Sequence, residues 1–485
     1  MSVRGAALWA MGGQYASFII QFVSSVLISR YFLTPAEVGI FSIAMAITLF
    51  VATFQDFGLS KYLAALPVAS PDEIARCSSV ALLFSLAVAG IIAALAWPMS
   101  IFYGYTELFP LMLITGFSYL FLPLAIVPLA LMGRRMAFQH HFVVNVGGAA
   151  AQAIISLALA AAGYSAFALA WGTLAAAIAR GGLAQWLRPA LPWPLKLNNL
   201  GSILSFGGKS STLYLTGALG SRTPDLIVGK LISLAAVGLF SRAVSLSEQF
   251  RMLISGAIGS VFFPAFARIR DEGQPIGPSY LRVVAGYTAI VWPGMAALAL
   301  IAEPIVRLLY GENWLGVAPL LSWVSLASLI MISLPLVSEL PILMGQMNRL
   351  IVYNILDTFF SIIFLIIGAQ FWGVEGAAIS RVVYAIVWLI PHYHLMKQVV
   401  GFDAKALLHI YLKSGAAAIA AILPATLVFI FWQSPSQTGL LMLGATSIVG
   451  ILLWLATLKF VKHPAHSEIV SFARAIPVLR RFISI

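Results

Sequence analysis

The stretch SFGGKSSTLYLTGALGSRTPDLIVGKL, Ser205 to Leu231, is long and apolar enough to cross a bilayer, yet it carries Lys209, Arg222, Asp225 and Lys230. Glycines and Pro224 interrupt it. A charge at the bilayer centre costs about 2.5 to 3.5 kcal/mol even on a lenient insertion scale, so several in one segment require a partner, a polar cavity or both. At a rise of about 1.5 Å per residue, Lys209 and Arg222 stand ~20 Å apart along a helix, and the charges form a ladder through the membrane. Arg222 and Asp225 have the spacing of a pair on one helix face, and Pro224 between them removes a backbone donor and bends the segment.

Composition extends this reading to the whole chain. Of 485 residues, 61% are hydrophobic and only 9% are charged, with a mean hydropathy of +0.98. Apolar runs of roughly 20 residues between short polar connections mark a polytopic helical membrane protein, because in lipid each segment must satisfy its own backbone. The fold class is therefore all-α. The formal charge of +12 does not point to nucleic acid, since most Lys and Arg fall in alternate short loops, as the positive-inside rule requires. Cys77 is the only cysteine, which leaves no disulfide framework and no thiolate metal site. The opening MSVRGAALWAMGGQYASFIIQFVSSVLI runs into a full-length apolar span without a small-residue cleavage pattern and reads as a retained first helix.

About fourteen spans are expected, near 7–29, 39–64, 78–98, 108–132, 141–162, 164–187, 203–230, 235–263, 281–301, 317–344, 350–371, 373–396, 407–432 and 438–460. With the N-terminus in the cytoplasm, the inner connections hold Lys61, Arg76, Arg134, Arg135, Arg188, Lys196, Arg268, Arg270, Arg282, Arg349, Lys397 and Lys405. The outer segments around 97–108 and 302–316 carry Glu107, Glu303 and Glu312 against Arg307 alone. An even number of spans returns both termini to the cytoplasm.

The halves repeat. RYFLTPAEVGIFSIA (Arg30 to Ala44) aligns with GKLISLAAVGLFSRA (Gly229 to Ala243), pairing Gly39 with Gly238 and Ser42 with Ser241. FYG at Phe102 is echoed by LYG at Leu309, LMG at Leu131 by LMG at Leu343, and GYSAFALAWG from Gly163 by GVEGAAISRV from Gly373. Four matches in the same order imply that six spans were duplicated. The expected organisation is an N-lobe over 1–200, a C-lobe over 201–400, two further spans over 401–462 and a tail over 463–485. Six is even, so both copies enter the membrane in the same sense, and transporters built this way carry substrate between their halves. The last two spans, almost free of internal charge, are expected to pack peripherally.

Charges outside the loops mark the candidate site. To Lys209, Arg222, Asp225 and Lys230 are added Arg30, Asp56, Arg242, Glu248, Arg251, Glu339, Asp357 and Arg381. Basic residues exceed acids in the central spans, which suits an anionic cargo, since phosphates are natural ligands of Arg and Lys. Plainer readings stand beside this one. Glu248 and Arg251 fit a local ion pair, Arg30 and Asp56 can reach headgroup water, and Lys209 can meet lipid phosphate. Asp357 and Glu339 could carry H+ or Na+ as a coupling ion, or simply bond a neighbouring helix.

Catalytic signals are weak. His140 with His141, and His392 with His394, lack the spacing of a helical metal site and have no carboxylate beside them in the chain, so neither metal nor cofactor is expected. Gly12-Gly13, Gly147-Gly148 and Gly207-Gly208 suit close helix packing. In the tail, Ile469, Phe472, Ile476, Leu479 and Phe482 keep helical spacing with Arg474, Arg480 and Arg481 alongside, the pattern of an amphipathic helix on an anionic leaflet.

The segments ISRYFLTPAEVGIFSIAM, FQDFGLSKYL and FGGKSSTLYLTGALGSRTPDLIVGKLISLAAVGLFSRAVSL together resemble the polysaccharide transporter family of the MOP exporter superfamily, the Wzx-type flippases and their lipopolysaccharide and exopolysaccharide relatives. The likeness covers most of residues 1 to 400. It implies a two-lobed helical bundle in the bacterial inner membrane, turning an undecaprenyl-pyrophosphate-linked oligosaccharide from the cytoplasmic to the periplasmic leaflet. Arg30, Lys209, Arg222, Lys230 and Arg242 would meet that substrate, with Asp56, Asp225, Glu339 and Asp357 as ion-coupling or pairing acids. The implied partners are the lipid-linked oligosaccharide, membrane lipids, a polysaccharide polymerase and a chain-length regulator. The fourteen spans exceed the twelve common among Wzx proteins. Two alternatives stay open: a MATE-like cation or drug antiporter, which calls for a cavity dominated by carboxylates, and a membrane glycan polymerase or ligase, which calls for a large catalytic loop.

Overall fold

A computed structural model describes residues 3–53, 58–66, 70–191, 193, 195–198, 200–201, 203–204 and 223–466. Asp56, Lys209, Arg222, most of the expected seventh span and nearly all of the tail lie outside these residues. The chain divides into two compact units, Met1–Ser241 and Arg242–Ile485. Among the described residues, nine helices are long and apolar enough to cross a membrane, or ten if one bent pair counts as a span.

In the first unit, α1 covers Val3–Tyr31 and α2 covers Pro35–Ala52. The start of α2 is written in TPAE. Thr34 accepts from the Glu37 amide, the Glu37 carboxylate accepts from the Thr34 amide at 2.7 Å, and Pro35 takes the first helical position, where its missing N–H costs nothing. The span expected over 39–64 is therefore earlier and shorter. It stops at Ala52, and a separate short helix, α3 (Leu59–Ala65), follows Gly58, whose φ of 68° is left-handed.

Ser70 caps α4 (Pro71–Tyr103) by accepting from the Glu73 amide at 3.2 Å, with Asp72 and Glu73 at the positive end of the helix dipole. Gly104 ends it with φ 78°. The expected fourth span is the bent pair α5 (Leu108–Ser118) and α6 (Pro123–Arg134), angled by 41° ahead of Pro123. Leu59, Leu63, Val80, Ala81, Val127 and Leu131 bury α3, α4 and α6 together. Arg134 donates to the Leu63 and Leu66 carbonyls, each at 2.6 Å, closing the end of α3.

α7 (Phe138–Ala161) and α8 (Ala166–Leu187) form a tight hairpin because small residues let the backbones approach. A Cβ on Gly172 would lie 1.8 Å from Ser156 Oγ, and one on Gly148 would lie 2.4 Å from the Arg180 stem. A helix over 223–231, α9, leads to α10 (Leu234–Asp271). The start of α10 crosses α2 at a second glycine contact. A Cβ on Gly39 would stand 1.8 Å from Leu234 O, and one on Gly238 would stand 1.9 Å from Pro35 O.

In the second unit, α11 (Ile276–Leu300), α12 (Ala302–Leu309), α13 (Val317–Met331) and α14 (Glu339–Leu343) follow α10. The expected span over 317–344 is thus broken between α13 and α14. The following α15 covers Met347–Val400, 54 residues. As one rod it would measure about 80 Å, far beyond the ~30 Å of hydrocarbon. It is folded in two at Trp372 and Gly373, the latter with φ 61° and ψ −148°. Gly368 and Gly376 then touch backbone to backbone, and Arg349 reaches Gln398 at 3.3 Å. Its two arms are the expected eleventh and twelfth spans.

α16 (Ala404–Phe431) and α17 (Leu440–Phe460) complete the bundle. They are fastened to α11 by buried polar contacts. Ser414 meets Thr288 at 2.8 Å and His463 at 2.9 Å, and Trp454 donates to Ala289 O at 2.8 Å. Their outward side chains are the reverse of a water-soluble surface, with Leu441 92% and Phe431 80% exposed. Such a surface is stable only against lipid.

Candidate functional site

Arg30, Asp225, Lys230, Arg242, Glu339 and Asp357 are the candidate positions among the described residues. Arg30, in the last turn of α1, is exposed and lies over the Tyr31 ring at 5.8 Å. Asp225 is half-buried in α9.

Lys230 ends α9 in contact with the end of α4. Its ammonium donates to Phe102 O at 2.5 Å and sits 4.2 Å from the Phe102 ring centre. Tyr103 returns the contact by donating to Leu226 O at 3.2 Å. A cation at the carbonyl end of a helix is favoured by the helix dipole, and the aromatic face adds to that attraction. The FYG sequence that ends α4 thus positions the lysine.

Arg242 belongs to the second unit. Its guanidinium lies 5.8 Å from the Trp314 ring centre, and Trp314 stands 5.9 Å from Tyr310. Both aromatic rings are almost wholly buried. A weakly hydrated guanidinium is favoured beside an aromatic ring. Further along α10, Glu248 and Arg251 form the expected local pair, with Arg251 Nε 3.0 Å from Glu248 Oε2. Glu339 is exposed at the start of α14.

Asp357, on the first arm of α15, is joined to the second arm. His392 Nε2 lies 3.2 Å from Asp357 Oδ2, and Tyr384 lies beside the same carboxylate. His392 is 1% exposed, donates from Nδ1 to Trp388 O at 2.9 Å, and stacks on Trp388 at 4.2 Å. Sequence spacing sets His392 aside for want of a neighbouring carboxylate; folding the hairpin supplies one. Arg180 on α8 is a further cation not singled out above, lodged against Gly148 on α7. Among the described residues, no three His, Cys, Asp or Glu side chains converge as a metal site.

Residues 27–319 match the family described as polysaccharide biosynthesis protein. The chain belongs to that family. Among relatives of this polysaccharide biosynthesis protein is an uncharacterized membrane protein in the cps region of Klebsiella pneumoniae, 21% identical over 81% of this chain and 82% of its own. The lipopolysaccharide biosynthesis protein WzxC of Escherichia coli is 23% identical over 44% of this chain and 43% of its own. The succinoglycan biosynthesis transport protein ExoT of Rhizobium meliloti is 23% identical over 66% and 65%. In fold the chain is similar to the lipid II flippase MurJ in an inward closed conformation, with a TM-score of 0.73 and 16% identity over 94% of this chain and 99% of that one. It is also similar to an inward-facing multidrug resistance MATE transporter of the MOP superfamily, with a TM-score of 0.52 and 14% identity over 82% and 96%. The chain is therefore a multi-pass membrane protein that shares its fold with MurJ and with that MATE transporter. The matched residues contain Arg30, Lys230 and Arg242 but not Asp357.

Proposed function

We propose that this chain is a flippase that moves an undecaprenyl-pyrophosphate-linked oligosaccharide from the cytoplasmic to the periplasmic leaflet by alternating access, for surface polysaccharide assembly. The observation that carries this reading is the family match over 27–319, which spans the basic positions Arg30, Lys230 and Arg242. The whole-chain likeness of fold to a lipid II flippase supports it, as do relatives named for lipopolysaccharide biosynthesis and succinoglycan transport.

The physical task is to take a strongly hydrated pyrophosphate and glycan across about 30 Å of hydrocarbon. Cationic side chains offset the lost hydration of the phosphates, the lipid tail remains in the bilayer, and no covalent bond changes. The flipped precursor would pass to a polymerase and a chain-length regulator.

Deleting the chain in its host should abolish the surface polysaccharide, and the wild-type chain should restore it. Arg242→Ala and Lys230→Ala should each reach the membrane yet restore little. Full restoration by both would refute the site, and an unchanged glycan after deletion would refute the function.

A further inference from the structure

The hairpin of α15 contains an acid–base pair whose geometry requires a hydrogen. His392 Nδ1 lies 2.9 Å from Trp388 O. A carbonyl oxygen only accepts, so Nδ1 bears a hydrogen. A neutral imidazole has one ring N–H, which leaves Nε2 as a bare acceptor facing Asp357 Oδ2 at 3.2 Å. Two bare lone pairs at that distance repel. One proton must lie between them, on the imidazole or on the carboxyl.

We propose that Asp357 and His392 form a proton-binding site, loaded through the pocket beside Arg349 and Gln398, whose occupancy holds the two arms of the α15 hairpin together. That pocket, of ≈ 450 Å³, is lined by Asn348, Arg349, Val352, Tyr353 and Gln398. Tyr353 lines it and also meets the His392 ring at 5.4 Å, so one side chain touches both the pocket and the buried imidazole. The Nδ1 bond is internal to the second arm and persists when the proton leaves. The Nε2 contact crosses between arms and does not persist.

Titratable and charged neighbours stand around the pair. On the hairpin itself, Tyr384 lies beside Asp357, Arg381 stands near Tyr384, and Tyr353 packs against the imidazole. The packed α13 has no titratable side chain. α14 offers only the exposed Glu339, and α11 presents Tyr280 further along the second arm, against Met396, Val400 and Phe402.

The transport use of this proton rests on the flippase reading; its binding does not. Trp388, stacked on His392, is the reporter, because a protonated imidazole quenches indole emission. The full chain is reconstituted in phosphatidylethanolamine and phosphatidylglycerol vesicles, and wild-type emission less that of Trp388→Phe is titrated. The expected result is one sigmoidal step, kept in Asp357→Glu and displaced in Asp357→Asn as the opposite charge is lost. A flat difference signal, or a step unmoved in Asp357→Asn, overturns the site. In cells, His392→Gln should lose most surface glycan while remaining in the membrane, and full glycan would overturn the coupling. If deleting the chain leaves the surface glycan unchanged, the flippase reading fails while the titration still stands.

Discussion

Ser42 donates a hydrogen bond to Ser241 at 3.2 Å, 199 positions along the chain, and the two serines occupy the same place in two matching segments. The flanking contacts repeat at the same offset. Gly39 meets Leu234 O while Gly238 meets Pro35 O. A contact in which each segment offers the other the same residues is what a two-fold axis generates. The repeat in the sequence is therefore also a local pseudo-symmetric crossing of α2 on the start of α10.

That crossing should tolerate no side chain. Gly39→Ala or Gly238→Ala drives a methyl group into a carbonyl oxygen, an overpacking that costs about 1 to 3 kcal/mol or more. Gly90→Ala, with open space around its Cβ, is the control. Thermal unfolding in detergent should show a lower midpoint for the first two variants and an unchanged one for the third. An unchanged midpoint for Gly39→Ala would contradict the close approach.

Arg242 and Trp314 should be energetically coupled. A double-mutant cycle of Arg242→Ala with Trp314→Ala is expected to give an interaction of about 0.5 to 2 kcal/mol in unfolding free energy. Arg242→Lys should recover only part of it, since the ammonium is more strongly hydrated than a guanidinium. Simple additivity would mean that the stacking contributes nothing.

His463 should make stability pH-dependent. Its ring, just beyond α17, accepts from the Ala465 amide at Nδ1 and donates from Nε2 to Ser414. Burial, then Lys413, then His466 push its pKa down to about 4. The folded value is below the unfolded one, so folding favours the neutral ring. The stabilisation is complete above the ordinary histidine value of about 6.5 and is lost as pH falls from there towards 4. Melting midpoints should therefore decline across that interval, and His463→Gln should flatten the decline. An identical slope in the variant would exclude His463 as its source.

Gly373 should resist replacement. Its φ of 61° with ψ of −148° is nearly confined to glycine. Gly373→Ala should cost about 1 to 3 kcal/mol by strain at the hairpin turn, read as a lower melting midpoint. Gly286→Ala, with open space around its Cβ, should not change it.

Much of the architecture was legible because lipid leaves few solutions. Apolar runs of bilayer length must be helices, and short signals such as Thr34-Pro-Ala-Glu, Ser70 and Gly104 set their ends. The expected span over 39–64 failed because hydropathy does not register the helix break after Ala52. The span over 317–344 failed for the same reason after Met331. How the last two spans are attached could not be read from the chain: Ser414 and Trp454 tie them to α11. The basic candidates could be named from the chain, but their surroundings could not. Lys230 turns to a helix-end carbonyl and Arg242 to an aromatic pair.

By itself the sequence determined that this is a helical membrane protein with a repeated plan and unusual intramembrane charge, since composition and period act locally along the chain. Only the tertiary structure decided which distant groups meet: Gly39 with Leu234, Arg180 with Gly148, Asp357 with His392. Hydropathy has no term for a contact made by folding an arm back on itself. The contact between Asp357 and His392 exists only because the α15 arm folds back.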